Sequence, residues 1–159
     1  MSKSLLTILF LIFTKLCFSQ NINFVIQVND KLLQYGELAN LYLIIENEKD
    51  TTKYFVNYYP GDLILSKDVL AVIDSAKYDK IYLHFDYYTY KKGKQDVANF
   101  DIELSKNLFK QPYLIANVFD FRDKKYKRWY QYYTKEKYLV KLTYPNSPTY
   151  IRMKKRLKI

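Results

Sequence analysis

The chain has 159 residues with a formal net charge of +10, and it contains 18% aromatic residues, one histidine and one cysteine. A single histidine and a single cysteine exclude the zinc sites that are built from several such ligands, and three isolated glycines exclude a phosphate-cradling loop or a dinucleotide fingerprint. The composition therefore predicts one domain with no metal, no cofactor and no enzymatic activity.

The first nineteen residues have the pattern of a secretory signal peptide. One lysine precedes an apolar run over Leu5–Phe13, and the small residues Cys17 and Ser19 stand two apart before the expected cut. A helix of this run reaches about 14 Å, which is too short for a hydrocarbon core of about 30 Å. We expect a cleaved leader over 1–19 and no remaining transmembrane segment. The mature domain, 20–159, is then free of cysteine and lies in the periplasm, at the cell surface or outside the cell.

Strand patterns dominate the mature chain. Apolar and polar side chains alternate, which is the period of a strand with one buried face. Pro60 and Gly61 predict a type II turn, and Gly93 predicts a hairpin loop between two long strands. The predicted strands are Ile22–Val28, Leu41–Glu46, Lys53–Tyr58, Ile81–Tyr90, Val97–Leu104, Tyr113–Phe121, Tyr138–Tyr144 and Tyr150–Met153.

One segment changes its period from two to that of a helix. Val69, Val72, Ile73 and Ala76 fall on one helical face, and Ser66 precedes them as a capping residue. The sequence predicts one short helix here, covering an end of the core.

About eight short strands and one short helix predict an all-β fold, an antiparallel β-sandwich, with a small β-barrel as the alternative. The strand rhythm resembles that of immunoglobulin-like or transthyretin-like sandwiches. The sequence departs from the immunoglobulin pattern because it lacks the cysteine pair and the intersheet tryptophan. The resemblance implies an architecture and carries no activity.

The positive charge is concentrated in the last third of the chain. Residues 20–103 contain nine lysines and thirteen acids, a net charge of −4, whereas residues 104–159 have a net charge of +12. This asymmetry predicts an anionic partner, namely an anionic polysaccharide, lipid head groups or an envelope protein. The alternative is that the lysines cover solvent faces and block edge pairing. Arginine, whose fork reads base edges, is scarce, so sequence-specific nucleic-acid binding is disfavoured.

Cations and rings are most densely mixed in RDKKYKRWYQYYTKEKYLVKL, from Arg122 to Leu142. The aromatic residues between 126 and 133 fit both helical and strand spacing, and the preference of rings for pleated surfaces favours a strand. A second basic cluster over 152–158 is predicted to be a tail. The candidate binding residues are Lys124, Lys125, Lys127, Arg128, Trp129 and Tyr130.

The strand over Ile81–Tyr90 carries polar residues on one face. The hairpin places Asp86 near residue 99, so Asp86, Asp101 and Glu103 are candidates for the carboxylate pair of a glycan-acting enzyme. His84 beside Asp86 is a candidate pair that titrates near neutrality. Acids that alternate on a solvent face are ordinary, and this simpler interpretation is favoured.

The aromatic residues support two interpretations. Tyr82, Tyr88, Tyr90 and Trp129 form a platform for sugar rings if they line an open face, and they belong to the core if they point inward. The sequence predicts a non-enzymatic exported interaction module and leaves its oligomeric state open. The alternatives are a barrel with a small apolar ligand, an assembly subunit that pairs through an edge near Tyr150–Met153, and a glycan-acting enzyme.

Overall fold

The computed structural model describes residues 20–34, 36–48, 50–75, 78–91, 93–130 and 135–147. The predicted leader, the predicted strand Tyr150–Met153 and the basic tail lie outside the described residues. The strands in the described ranges are β1 (Gln20–Val28), β2 (Lys31–Leu32), β3 (Leu38–Asn47), β4 (Asp50–Phe55), β5 (Asn57–Tyr59), β6 (Gly61–Leu65), β7 (Lys80–Lys91), β8 (Lys94–Leu104), β9 (Leu114–Asp120) and β10 (Tyr138–Thr143). The helices there are α1 (Lys67–Ser75), a 3-10 helix (Lys106–Lys110) and α2 (Lys124–Tyr130).

The strands form two sheets that pack face to face. The six-stranded sheet has the order β10-β9-β1-β6-β5, with β2 paired to β1, and the four-stranded sheet has the order β4-β3-β7-β8. The pairs are antiparallel apart from β1 and β9, which run parallel. The predicted all-β sandwich is confirmed. The alternative of a barrel is wrong, because the two sheets of the described chain do not close on each other.

The core lies between the inner faces of the sheets. On β7, Ile81, Leu83 and Phe85 are buried, while the residues between them point to the outer face, as the period of two predicts. Phe24 and Ile26 of β1 face them from the other sheet and are also fully buried. Burial of this continuous apolar layer is the main stabilising contribution to a fold that has no disulfide within its described residues.

Short helices cover the ends of the core. Val69 and Ile73 of α1 are buried, and the Val69 N–H donates to the Ser66 hydroxyl at 3.4 Å, so the predicted helix and its cap are confirmed. Leu108 and Phe109 of the 3-10 helix are buried as well. No helix in the described part of the chain combines the length and the apolar character needed to cross a bilayer.

The hairpin prediction for β7 and β8 is confirmed. Gly93 takes a φ of +74°, and Lys91 pairs with Lys94 across the loop. The same register places Asp86 opposite Asn99, as expected from the sequence. Because this register is continuous from Lys91 to Ile81, it determines which side chains meet on the outer face.

The single predicted strand Lys53–Tyr58 is wrong, because the chain changes sheets in its middle. β4 belongs to the four-stranded sheet and β5 to the six-stranded sheet. Val56 lies between them, buried, and its N–H donates to the Leu41 carbonyl at 3.3 Å. The Tyr58 hydroxyl then accepts a hydrogen bond from the Ile26 N–H at 3.0 Å. Alternation continues through such a switch, so the pattern alone does not reveal it.

The prediction of a strand around Tyr126 is also wrong. Residues Lys124–Tyr130 form the helix α2, and the described chain therefore contains two α-helices where the sequence predicts one. α2 lies against β9 of the six-stranded sheet. The contacts that favour the helix come from this packing and are described next.

Candidate functional site

The helix α2 begins at a capping aspartate. The Lys125 N–H donates to the Asp123 carboxylate at 2.8 Å, and the Lys127 N–H donates to the Asp123 carbonyl at 3.0 Å. An aspartate at this position satisfies N–H groups that the first turn leaves without partners. Asp123 directly before a ring-rich segment is the sequence signal for this helix that the strand prediction overlooked.

One face of α2 holds the helix to the sheet through stacked rings. Tyr126 and Tyr130, one helical turn apart, both stack on Phe119 of β9, with ring centroids 5.5 and 4.4 Å away. Trp129 meets the Tyr126 ring edge-on at 5.6 Å. The ring contacts fix the rotation of the helix about its axis.

The hydroxyl of Tyr126 anchors α2 to the turn between β1 and β2. It donates to the Asn29 carbonyl at 2.7 Å and lies 3.0 Å from an Asp30 carboxylate oxygen. Asn29 and Asp30 have φ values of 55° and 65°, the left-handed pair typical of a two-residue hairpin turn. Asn117 of β9 donates to Asp30 at 2.7 Å. The helix, the turn and β9 thus share one partly buried polar network.

All four cations of α2 are exposed. Lys124, Lys127 and Arg128 are exposed, and within the described residues none of them has a carboxylate at ion-pair distance. Lys125 is exposed too, with its ammonium 4.9 Å from the centroids of both the Tyr126 and the Trp129 rings. That distance suits a cation–π interaction. Positive charge on this helix is therefore left without neutralising acids.

Arg122, at the start of the same basic stretch, has a structural role instead. Its Nε donates to Asp120 at 2.8 Å, and its Nη1 donates to the Val97 carbonyl at 2.9 Å and to Asp96 at 3.2 Å. The guanidinium joins the end of β9 to the edge strand β8. The structure thus separates Arg122 from the predicted binding residues, all six of which lie on α2.

A second polar cluster lies on the outer face of the four-stranded sheet. His84 is held between two carboxylates: its Nδ1 lies 2.7 Å from Asp101 Oδ1, and its Nε2 lies 3.5 Å from Asp86 Oδ1. With the Asp101 carboxylate as the acceptor, the donor in this hydrogen bond is the N–H at Nδ1. Among the described residues, no group of three or more histidine, cysteine or acidic side chains is arranged to hold a metal ion.

Asp86 is buried by its partners. Asn40 donates to Asp86 Oδ2 at 2.6 Å, and Asn99 donates to Asp86 Oδ1 at 2.5 Å. Asn40 has a φ of 48° and stands at an irregularity in the register between β3 and β7. Such bulges redirect a side chain, and this one turns an amide towards Asp86. Both oxygens of Asp86 are therefore engaged within the protein.

Two rings that border this cluster were not predicted from the sequence. Tyr42 of β3 stacks on His84 with centroids 4.5 Å apart, and Phe55 of β4 meets Tyr42 edge-on at 6.0 Å. Phe55 is 85% exposed. The sequence signal for Tyr42 is the alternation along Leu41–Glu46, which places this ring on the strand face that points away from the core.

The predicted platform of four aromatic residues does not form as one surface. Tyr82, Tyr88 and Tyr90 lie on the outer side of β7, as expected from their phase. Trp129 packs with the Phe119 cluster against the six-stranded sheet. The described contacts do not join Trp129 to the β7 tyrosines.

Tyrosines also border an open cleft of about 630 Å³ between the β7–β8 hairpin and the segment before β3. Tyr87, Tyr88 and Tyr90 contribute to its wall. The ion pair of Lys31 and Glu37, 2.5 Å apart, crosses it. Their hydrogen bond raises the pKa of Lys31. Burial acts to raise the pKa of Glu37, but the hydrogen bonds from Lys31 and the Gln34 N–H, together with the charge of Lys31, lower it. The pair neutralises itself, so the cleft has little net charge to attract an ion.

No protein-family model, curated protein or solved structure matches this chain, so the function must be argued from these surfaces alone.

Proposed function

We propose that this protein is an exported, non-enzymatic binding module that holds an anionic polysaccharide of the cell envelope. The contact surface is the outer side of α2, named here the α2 basic surface. One observation carries the proposal: the cations of this helix are exposed and have no carboxylate at ion-pair distance among the described residues, while its rings hold the helix in place. The α2 basic surface consists of Lys124, Lys125, Lys127 and Arg128, bordered by the partly buried rings of Trp129 and Tyr130.

The charge pattern supports a polyanion as the partner. Unpaired cations attract a charged chain over distances up to the Debye length, about 8 Å at physiological ionic strength. Three of the four cations are lysines, which act as point charges and do not select a base sequence. Lys137, exposed and brought beside α2 by a hydrogen bond from the Phe121 N–H to its carbonyl at 3.1 Å, extends the same positive field.

The ring geometry favours a polysaccharide over a lipid surface. Insertion into a membrane interface requires aromatic side chains that are free to enter it. Tyr130 is stacked on Phe119 at 4.4 Å, and Trp129 is packed against Tyr126, so both rings are already partly covered. A polymer that follows the cations does not need these rings to leave the protein.

A triple charge substitution tests the proposal. We expect Lys124→Gln, Lys127→Gln and Arg128→Gln together to weaken binding to polygalacturonate at low salt by about tenfold or more, because counterion-linked contacts are lost. Wild-type affinity should also decline steeply as salt is raised. Titration calorimetry or affinity electrophoresis measures both effects.

The matched control removes the same charge from other exposed sites, with Lys80→Gln, Lys94→Gln and Lys110→Gln. Equal losses in the two triple variants would show a general charge effect and contradict the proposal, as would an affinity that ignores salt. Vesicles of phosphatidylglycerol provide the competing arm. Stronger salt-dependent binding to vesicles than to polygalacturonate would reassign the surface to lipid.

Export is a separate part of the proposal. A cut after Ser19 would keep the buried residues of β1, Ile22, Phe24 and Ile26, in the mature chain. We expect mass spectrometry of the protein recovered outside the cytoplasm to give Gln20 as the first residue. Leu9→Arg, which interrupts the apolar run of the leader, should keep the full-length chain inside the cell. Recovery of exported protein that still begins at Met1 would contradict cleavage.

A further inference from the structure

A row of side chains crosses the outer face of the four-stranded sheet from one edge to the other. Its members stand directly opposite one another on β4, β3, β7 and β8, and they are Phe55, Tyr42, His84 and Asp101, named here the ring row. The next row along the strands consists of Lys53, Ile44, Tyr82 and Glu103. We infer that the ring row is a second binding site, which takes a short stretch of a neutral glycan chain.

Phe55 provides the apolar contact. A single exposed ring is ordinary on a protein surface, but Phe55 continues a line of rings, with Tyr42 edge-on at 6.0 Å and His84 stacked behind Tyr42 at 4.5 Å. Its 85% exposure leaves the ring open to a ligand. The C–H face of a sugar ring is apolar and packs on such an aromatic surface, which removes apolar area of both from water.

Asp101 provides the polar contact at the other end. Its side chain is 49% exposed, and its Oδ1 accepts from His84 Nδ1 at 2.7 Å. The described residues give Oδ2 no hydrogen-bond donor. An ionised carboxylate oxygen forms strong hydrogen bonds with hydroxyl groups. Sugar hydroxyls are therefore well matched to this end of the row.

The row is rigid before any ligand arrives. His84 is held by Asp101 on one nitrogen and lies 3.5 Å from Asp86 on the other. Asp86 is itself held by Asn40 and Asn99. Groups that are already ordered lose little conformational entropy on binding, which favours a measurable affinity from a small contact.

Charge and area distinguish a neutral glycan from other occupants. The two rows carry two acids, Asp101 and Glu103, at the β8 end and one cation, Lys53, at the β4 end, so an anionic chain would be repelled at the β8 end. The two rows extend over three interstrand spacings of about 4.8 Å across the strands and one side-chain repeat of about 7 Å along them. Together they cover an area on the order of 100 Å². A stable protein interface needs about 800 Å² from each partner. The rows are thus large enough for a few sugar rings and too small for a second copy of the chain.

The single histidine of the chain makes the site directly observable. We expect the imidazole proton resonances of His84 to shift when neutral oligosaccharides are titrated into the full mature protein. The probes are linear oligomers of glucose in β-1,4 and β-1,3 linkage, of N-acetylglucosamine, of mannose and of galactose. Binding of the matching oligomer should change little with salt, because no charge is neutralised.

Phe55→Ala should weaken this binding by about fivefold or more, the effect of one lost ring contact of about 1 kcal/mol. Tyr59→Ala is the matched control, because Tyr59 is also an exposed ring, at 57%, but lies on β5 of the other sheet. It should leave affinity unchanged. The triple α2 variant should also bind the neutral oligomer normally, so this site and the α2 basic surface can fail independently.

Three results would overturn the inference. One is the absence of any His84 shift with every neutral oligomer at millimolar concentration. Another is an equal loss of affinity in Phe55→Ala and Tyr59→Ala. The third is a larger His84 shift with oligogalacturonate than with each neutral oligomer, which would show that Asp101 and Glu103 do not exclude anions.

Discussion

Two surfaces of this protein combine rings with charges in opposite ways. On the ring row, Phe55 is open to solvent, while His84 is enclosed by acidic partners. On α2, Tyr126 is buried against Phe119, while Lys127 is exposed and has no carboxylate at ion-pair distance among the described residues. The sheet exposes the Phe55 ring and encloses a histidine between acids, whereas the helix buries the Tyr126 ring and exposes cations.

This difference shows how one set of residue types serves two purposes. A buried ring stabilises the fold through the apolar area it removes from water, and an exposed ring keeps that area available for a ligand. Likewise, a paired charge has little long-range effect, while an unpaired one attracts ions of opposite sign. We therefore expect substitutions on the two surfaces to separate stability from binding.

The largest effect on stability is expected at Tyr126, which is 4% exposed. Tyr126→Ala should lower the free energy of unfolding by about 3 kcal/mol, because it removes a buried ring from the Phe119 stack. Urea denaturation measures the change. Tyr126→Phe keeps the ring and loses the hydroxyl contacts with Asn29 and Asp30, so it should cost about 1 kcal/mol. Equal losses in the two variants would contradict anchoring by the ring.

Substitution of Asp86 tests whether its buried carboxylate stabilises the four-stranded sheet. Asp86→Asn replaces an acceptor oxygen with an N–H₂ group that faces the amide of Asn40 or Asn99. We expect a loss of about 2 kcal/mol in the free energy of unfolding, because buried donors are left without acceptors. Asp101→Asn, at a half-exposed position, should cost less than about 1 kcal/mol. The order of the two losses, measured by urea denaturation, would be reversed if Asp86 were not the structural partner.

Substitution of Tyr138 tests whether its contact with Asp101 stabilises the β8 edge of the four-stranded sheet. Its hydroxyl accepts from the Asp101 N–H at 3.0 Å and donates to the Asp101 carbonyl at 3.1 Å. Tyr138→Phe should lower the free energy of unfolding by about 1 kcal/mol at neutral pH. Denaturation curves measure this loss, and no loss at neutral pH would show that the edge contact is not stabilising.

The same variant has a defined pH dependence. Burial raises the pKa of Tyr138 above its ordinary value of 10.0. A raised folded-state pKa favours the neutral phenol, so its stabilising effect is complete below pH 10 and is lost as the pH rises through the folded-state pKa. The difference in stability between wild type and Tyr138→Phe should therefore shrink above pH 10. A difference that grows in alkali would contradict this sign.

The smallest effect is expected at Phe55. Because the ring is already open to water, Phe55→Ala should change the free energy of unfolding by no more than about 0.5 kcal/mol. Thermal or urea denaturation of Phe55→Ala and Tyr126→Ala, measured side by side, gives the difference between the two losses. A loss similar to that of Tyr126→Ala would place Phe55 in the core and remove the basis for the ring row.

Strand phase was the feature most readily predicted from the sequence. The alternation along Ile81–Tyr90 determines which side chains are buried, and Gly93 determines how β7 meets β8. Together these two local signals are sufficient to place Asp86 opposite Asn99. The predictions succeed because the period of two and the turn geometry depend only on neighbouring residues.

The helix α2 illustrates the limit of local patterns. Tyr126 and Tyr130 fit both helical and strand spacing, so periodicity did not decide between the two structures. The helix is favoured by the cap at Asp123 and by Phe119, which accepts both tyrosine rings on the surface of β9. The cap at Asp123 is a local signal, and it can be recognised in the sequence. The second comes from packing between separate elements.

By itself the sequence determined the composition of the core faces, the β7–β8 register and the concentration of positive charge in the last third of the chain. These properties follow from short-range alternation, turn residues and counting. Only the tertiary structure decided that Phe55, Tyr42 and His84 stand in one row, and that the cations of α2 are exposed while its tyrosine rings pack on Phe119. Both arrangements depend on which strands become neighbours and on the surface that receives the helix, and these are set by long-range packing of the two sheets.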